Sequence, residues 1–483
     1  MTAARAGDGP ASLLPPVRRI GQGTMLAYAF GAVAYGVKDS GFGTFLLLFY
    51  NQVIGLPAAT VGLVVMCALL IDAFIDPAVG FFSDRTRGRW GRRHPWMYAA
   101  ALPIAIGWVL LWNPPALSEH ATLFWLFAMA VVVRSAVSCY EVPSVALTPE
   151  LTADYDERTR IMAYRYLFGW AGGLLMLLAA YQFFLAPTAE FPNGLLNRAG
   201  YANFAIAGAI LMAVAILASA LGTHHEIKHL PKADASGGTL RTSFAELRAT
   251  VKNRAFLVLM LAGVCAYTNQ GISYALSNYL YSYVWGFKGT VFVYLMIVLF
   301  IGVLFAFALA PRAAKRFGKP QAAAIAVVVG MAFQTAPYWL RLAGWFPTLD
   351  EVALIPTLFA IYIVSTAFNV SAFIIGASMM ADVVEDSETR TGRRSEGVFF
   401  AGSFFVQKCT SGIGIFVAGA ILALAGFPEK ATPGLVPVGT IDRLTIVFSL
   451  IYLTLGALSA MLFLRFPFGK AEHDARIARM AEE

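Results

Sequence analysis

Twelve apolar stretches of about 20 residues or more follow one another along this chain, a pattern that excludes an ordinary soluble fold. They lie roughly at 24–50, 57–83, 96–113, 121–147, 159–185, 200–222, 255–284, 290–311, 320–340, 352–380, 396–425 and 440–466. Each is long enough, at a rise of about 1.5 Å per residue, to cross the roughly 30 Å of a bilayer core as a helix. Hydrocarbon offers no partners to a backbone N–H or C=O, so spanning segments of this kind must be helices. Only 13% of the 483 residues are charged, against about a quarter in a soluble protein, and mean hydropathy is +0.67. The leading segment MTAARAGDGPASLLPP is polar and Pro-rich and lacks the pattern of a secretory signal. Residues 1–22 are therefore expected to be a disordered cytoplasmic arm. Cys67, Cys139, Cys265 and Cys409 all fall within spans and read as buried free thiols, not as a disulfide framework.

Loop charges give the orientation. Arg5, Arg18 and Arg19 precede the first span; Arg85, Arg87, Arg89, Arg92 and Arg93 crowd the loop after the second. Arg158 and Arg160 follow the fourth, Lys228, Lys232, Arg241, Arg248, Lys252 and Arg254 lie in the middle loop, and Arg312, Lys315, Arg316 and Lys319 follow the eighth. The alternate loops hold little more than Arg198, Lys288, Arg341, Lys430 and Arg443. By the positive-inside rule both termini and the middle loop face the cytoplasm. The net charge of +8 is then a topological signal, and no nucleic-acid partner is implied. The expected location is the cytoplasmic (inner) membrane, with the lipid bilayer as surroundings.

The chain also repeats. Arg89-Trp90-Gly91-Arg92-Arg93-His94-Pro95 after the second span is echoed by Arg316-Phe317-Gly318-Lys319-Pro320 after the eighth, an offset of 227. Asp156-Glu157-Arg158-Thr159-Arg160 after the fourth is echoed by Asp386-Ser387-Glu388-Thr389-Arg390 after the tenth, an offset of 230. Two parallel six-helix halves, 23–222 and 254–466, joined by a cytoplasmic middle loop 223–253 and followed by a tail 467–483, make the all-α major facilitator fold. Its substrate site lies at mid-membrane between the halves. The tight basic turns, with Asp84, Arg89, Gly91, Arg92 and Arg93, would pin the cytoplasmic ends of neighbouring helices and form a gate there.

Asp72 and Asp76 stand four residues apart in the apolar run LLIDAFIDPAVG, so both carboxylates share one helix face. A charge at bilayer depth is expensive unless it is paired or faces water. The pair, with Pro77 directly behind it, is expected to hold a cation. The alternative is that buried basic groups neutralise both acids and merely lock helices together.

The run Asp72-Ala73-Phe74-Ile75-Asp76-Pro77, followed by Gly80, Asp84 and Arg89-Trp90-Gly91-Arg92-Arg93-His94-Pro95-Trp96, resembles the glycoside–pentoside–hexuronide:cation symporter family. So do Glu141-Val142-Pro143, Leu147-Thr148-Pro149-Glu150-Leu151-Thr152 and Asp156-Glu157-Arg158, Met380-Ala381-Asp382 after the tenth span, and Lys408 in the eleventh. The resemblance implies cation-coupled sugar transport, with Asp39, Glu141 and Arg165 binding the sugar. Carboxylates accept from vicinal hydroxyls, and the guanidinium donates to oxygens. It makes Ser138 a hydroxyl ligand beside Asp72 and Asp76, although a lone serine also serves helix packing. Arg134 and Lys408 complete the expected substrate-binding set, and Lys408 would reach across the cavity to the acids of the other half.

Asp39 adjoins Lys38 in GVKDSGFG, and a local ion pair is its bland reading, disfavoured because adjacent residues on a helix do not face each other. Gly169-Trp170-Ala171-Gly172-Gly173 and Gly412-Ile413-Gly414 read as helix-packing seams. Three departures from the family pattern stand out. Val145 replaces an aromatic sugar platform, Ile75 replaces an asparagine ligand of the cation site, and Leu69 replaces an arginine while Arg134 appears two turns before Glu141. Moving the arginine keeps four acids (Asp39, Asp72, Asp76, Glu141) against four bases (Lys38, Arg134, Arg165, Lys408).

The expected function is symport of a glycoside or related sugar with H⁺ or Na⁺, the latter at Asp72 and Asp76, by alternating access. No other cofactor is expected, and the working unit is expected to be a monomer. The alternatives are a carrier of an acidic sugar or lipid-like anion, with Arg134 serving the anion, and a non-transporting membrane sensor. Against an enzyme, His94, His120, His224, His225 and His473 sit in loops or tails, and no His/Cys/acid cluster has metal or nucleophile spacing.

Overall fold

The computed structural model describes residues 20–152, 154–230, 253–391 and 396–467. Most of the expected arm 1–22 and tail 467–483, and residues 231–252 of the middle loop, lie outside this range. Among the described residues the chain is helical throughout, without strands. The first helix, α1 (22–54), is assembled from Gln22–Phe30, Val33–Ser40 and Leu46–Leu48, with wider π turns at Gly41–Phe45 and Phe49–Ile54. Then come α2 (Ala58–Arg85), α3 (His94–Trp112), α4 (Glu119–Leu151) and α5 (Tyr155–Ala179, continued by a π turn Ala180–Phe184). The first half closes with α6 (Arg198–His224). The second half holds α7 (Arg254–Tyr279, continued by a π turn Leu280–Val284), α8 (Thr290–Phe317) and α9 (Lys319–Leu342). It ends with α10 (Leu354–Thr391), α11 (Glu396–Ala425) and α12 (Val438–Leu464). Eleven of the described helices are individually long and apolar enough to cross a membrane. The segments of α1 become so only when stacked.

Two boundaries correct the sequence reading. Asp382 and Asp386, expected after the tenth span, lie within α10. α4 runs through Pro143 and Pro149 to Leu151; proline removes a helix hydrogen bond but does not end a helix supported by its neighbours.

Packing repeats with the sequence. In the first half α3 packs on α4 and α6, α2 on α4, and α1 on α5 and α6. In the second half α9 packs on α10 and α12, α8 on α10, and α7 on α11 and α12. Adding six to each label turns one set into the other. Across the halves α2 meets α11, α5 meets α8, and α1 meets α7 at the Gly41–Phe45 turn.

The glycine runs are the seams they were expected to be. A Cβ on Gly36 of α1 would sit 1.9 Å from the Gly169 carbonyl oxygen of α5. One on Gly414 of α11 would sit 2.6 Å from the Thr268 carbonyl oxygen and 2.8 Å from Gly271 Cα of α7. Lipid gives no hydrophobic drive between helices, so such backbone contact is what holds the pairs together.

Candidate functional site

The Asp72–Asp76 face of α2 is turned toward α4 and α11, and both helices answer it with cations. Arg134 of α4 donates to Asp72 Oδ2 from Nε at 3.0 Å and from Nη2 at 2.7 Å. Ser138, one turn further along α4, donates to Asp72 Oδ1 at 2.9 Å. Lys408 of α11 comes within 3.2 Å of Asp72 Oδ2 and donates to Asp76 Oδ2. Asp72 and Arg134 are buried, at 2% and 5% exposure. Asp76 and Lys408 are partly open, at 27% and 23%. One carboxylate is therefore saturated. The other is held, among the described residues, by a single ammonium, and its Oδ1 is buried without a hydrogen-bond partner. The predicted cation-site residues Asp72, Asp76 and Ser138 do come together, and Arg134 and Lys408 join them.

A second cluster lies further along α4. Arg165 of α5 donates from Nη2 to Glu141 Oε1 at 2.9 Å and from Nη1 to Ser144 Oγ at 2.6 Å, with its guanidinium 4.9 Å from the centre of the Tyr28 ring. Glu141 keeps its other oxygen, Oε2, without a hydrogen-bond partner. Asp39 does not touch this pair. It lies 3.7 Å from the Lys38 ammonium and is 55% exposed, while Lys38 is 3% exposed. The local pair disfavoured from sequence therefore exists, because the lysine stem is long enough to fold back. An open carboxylate halfway along an inner helix must face water.

At the end remote from the basic loops the halves are laced together. Gln52 of α1 donates to the Pro428 carbonyl at 3.0 Å and accepts the Ala431 N–H at 2.7 Å, so one side-chain amide pairs with the loop between α11 and α12. Tyr279 donates to Asn51 Oδ1 at 2.8 Å, Tyr181 to Asn278 Oδ1 at 2.8 Å, and Asn278 to the Thr44 carbonyl at 3.0 Å. The rings of Tyr181 and Phe292 stack at 4.6 Å across α5 and α8.

Residues 27–470 match the family described as MFS/sugar transport protein. The chain belongs to that family, within the major facilitator superfamily. The isoprimeverose transporter of Lactiplantibacillus pentosus is 25% identical over 83% of this chain and 80% of its own. The glucuronide carrier protein homolog of Escherichia coli (strain K12) is 24% identical over 84% of each. Among solved structures, the D-xylose-proton symporter superposes with a TM-score of 0.62 at 14% identity, over 92% of this chain and 97% of that one. The resemblance to cation-coupled glycoside symporters is thus borne out, and the protein is a multi-pass membrane transporter, not an enzyme.

In this transporter the basic turn ties neighbouring helices together, through Glu150, which was not among the expected site residues. Glu150, at the end of α4, accepts from Arg92 Nη2 at 2.8 Å and from Arg93 Nε at 3.0 Å. Arg93 also meets Asp84 at 2.5 Å and Ser83 Oγ at 2.8 Å. Gly91 takes φ +70°, the left-handed conformation the turn needs, and Arg89 lies 5.5 Å from the Trp90 ring centre. In the other half Lys319, the echo of Arg92, meets Asp382 of α10 at 2.5 Å. Each half thus ties the loop between its second and third helices to its fourth. Arg93 is buried among three partners, whereas Lys319 is 35% exposed. Arg93→Ala is expected to cost about 2–3 kcal/mol of stability and Lys319→Ala under about 1, read as a larger fall in detergent unfolding temperature for the first.

Ser144 was not among the expected site residues, and His94 and His120, read as loop or tail residues, lie in helices. Ser144 follows Glu141 by three residues, on the same face, and that spacing was its only sequence signal. His94, assigned to a loop, is the first residue of α3, fully buried, with Nε2 3.0 Å from Thr223 Oγ1. His224 likewise ends α6.

Proposed function

We propose that this protein is a secondary active symporter that carries a neutral glycoside or related sugar across the cytoplasmic membrane together with H⁺. The observation that carries the reading is Lys408 of the second half bridging Asp72 and Asp76 of the first. A proton arriving at Asp76 neutralises the carboxylate that holds the ammonium. The tie between α2 and α11 then loosens, and the halves are free to rock about the site. The lacing through Gln52, Asn51 and Tyr279 supports a state closed at the face remote from the basic loops, with the cavity leading to the basic, cytoplasmic side.

Two features favour H⁺ over Na⁺. Ile75 supplies no oxygen, and the oxygens of Asp72 are already engaged by Arg134, Ser138 and Lys408. Na⁺, a hard cation, needs a shell of about five or six oxygens, whereas H⁺ needs one carboxylate.

A neutral substrate is favoured because both site guanidiniums are committed to protein acids, Arg134 to Asp72 and Arg165 to Glu141. The sugar then has the open Asp39, Glu141 and Arg165, which accept from and donate to ring hydroxyls. The second reading, an acidic sugar, requires Arg134 to leave Asp72; the likeness to a protein named as a glucuronide carrier homolog is what keeps it in view.

Uptake of labelled glycosides and glucuronides into vesicles, under an imposed proton or sodium gradient, tests the reading. A neutral glycoside is expected to accumulate under an inward proton gradient and to be lost with a protonophore. Protonophore-insensitive uptake stimulated by millimolar Na⁺ would overturn the choice of ion, and accumulation of glucuronides alone would overturn the choice of sugar.

A further inference from the structure

The groups that the proposed reading gives to the sugar, Asp39, Glu141 and Arg165, all come from the first half. A carrier that rocks its halves about a bound substrate needs a wall from the second half as well. Val145, four residues after Glu141, offers no flat apolar surface for a sugar ring.

α7 carries a candidate on its open side. Tyr267, Gln270, Tyr274 and Ser277 are spaced three, four and three residues apart and so fall on one face. α7 is flanked by α11 and α12 in its own half and by α1 across the interface. A partly exposed polar stripe on such an inner helix faces water, because facing lipid would strand its polar groups. Tyr274 is 45% exposed although it lies within the membrane-spanning part of the helix. Its hydroxyl is 3.4 Å from Gln270 Nε2.

The position relative to Asp39 is set by Gly43. A Cβ added there would lie 3.5 Å from Tyr274 Cδ2 and 3.6 Å from its Cβ, so the tyrosine ring stands directly beside Gly43. Gly43 lies in the wider π turn Gly41–Phe45 and follows Asp39 by four residues, roughly 5–6 Å along α1. That is the width of one pyranose ring.

We propose that Tyr274 is the second-half platform of the sugar site. It stacks on the apolar face of a pyranose whose hydroxyls are held by Asp39, with the Gln270 amide bonding a ring or glycosidic oxygen. The proposal rests on the sugar reading above and adds the residue that selects a ring with an uninterrupted apolar face. Gly43 keeps the slot between Asp39 and the ring empty. Tyr274 and Asp39 sit on different halves, so a sugar bound between them would be gripped from both sides.

The test is equilibrium binding of nitrophenyl pyranosides and nitrophenyl glucuronide to the purified full-length protein in detergent. The variants are Tyr274→Phe, Tyr274→Leu and Gly43→Val. Wild type is expected to bind at least one neutral pyranoside. Tyr274→Phe, which keeps the flat ring, is expected to stay within about threefold of it. Tyr274→Leu is expected to lose about tenfold or more, the scale of one aromatic stacking contact. The Cβ that Gly43→Val adds meets the ring at ordinary contact distance, and the change removes no buried group. It is expected to give a comparable loss by filling the slot. Wild-type binding with unchanged affinity in Tyr274→Leu and Gly43→Val would overturn the platform and leave the sugar reading standing. Failure of wild type to bind any pyranoside would overturn the sugar reading and the platform with it.

Discussion

Asp76→Asn is expected to abolish accumulation of substrate against a gradient while leaving downhill exchange, because the proposed sugar ligands Asp39, Glu141 and Arg165 are untouched. Asp76 is partly open, is held by Lys408, and carries a buried oxygen without a partner. Its loss should therefore register in coupling more than in stability. Asp72→Asn is expected to differ. Asp72 is 2% exposed and takes both hydrogen bonds from Arg134, itself 5% exposed. Removing its charge leaves a guanidinium buried without its partner, a change that costs about 3–5 kcal/mol. The Asp72→Asn protein should thus show a lowered unfolding temperature as well as lost accumulation. Full gradient-driven accumulation in both variants would remove the cation-site assignment.

The second large effect separates a neutral from an acidic substrate. Arg134→Gly is expected to cripple transport by a few kcal/mol, leaving buried Asp72 with Lys408 and Ser138 only. Leu69 lies three residues before Asp72 on the same face of α2 and is buried against the Gly412 seam of α11, its Cβ 3.0 Å from where a Cβ on Gly412 would be. An arginine at position 69 could supply the missing charge from α2 itself. The double variant Arg134→Gly with Leu69→Arg is therefore expected to regain much of the transport lost in the single one. Selective loss of a hexuronide in the single variant, without rescue in the double, would show instead that Arg134 binds a substrate carboxylate from α4.

Those two experiments could be framed from sequence because charges in a membrane are few and costly. Asp72, Asp76, Arg134, Glu141, Arg165 and Lys408 stood out against apolar runs, and the structure joins them into two clusters. That Arg134 and Lys408 meet the Asp72–Asp76 pair was legible; which of the two acids each holds was not, because it depends on the relative rotation of α2, α4 and α11, which periodicity within one helix does not fix. Asp39 shows the same limit, since the reach of the Lys38 stem outweighed the helical angle between neighbours. The twelve spans were legible to within a few residues, except where helices extend beyond the hydrocarbon, as α10 does past Asp382 and Asp386. The π turns of α1 left no trace in hydropathy, because they change the backbone without changing polarity. The lacing through Gln52 was also invisible: it joins a side chain to backbone groups of Pro428 and Ala431, more than 370 residues away in sequence.

In the proposed cycle a proton at Asp76 accompanies the sugar. The most direct measurement of that coupling is the parallel recording of external pH and labelled sugar entry into proteoliposomes loaded with the purified protein. Downhill sugar entry is expected to make the external medium alkaline in the wild type. The Asp76→Asn protein should still exchange sugar but move no protons. Sugar entry without proton movement in the wild type, or proton-coupled entry persisting in Asp76→Asn, would contradict the proposed coupling.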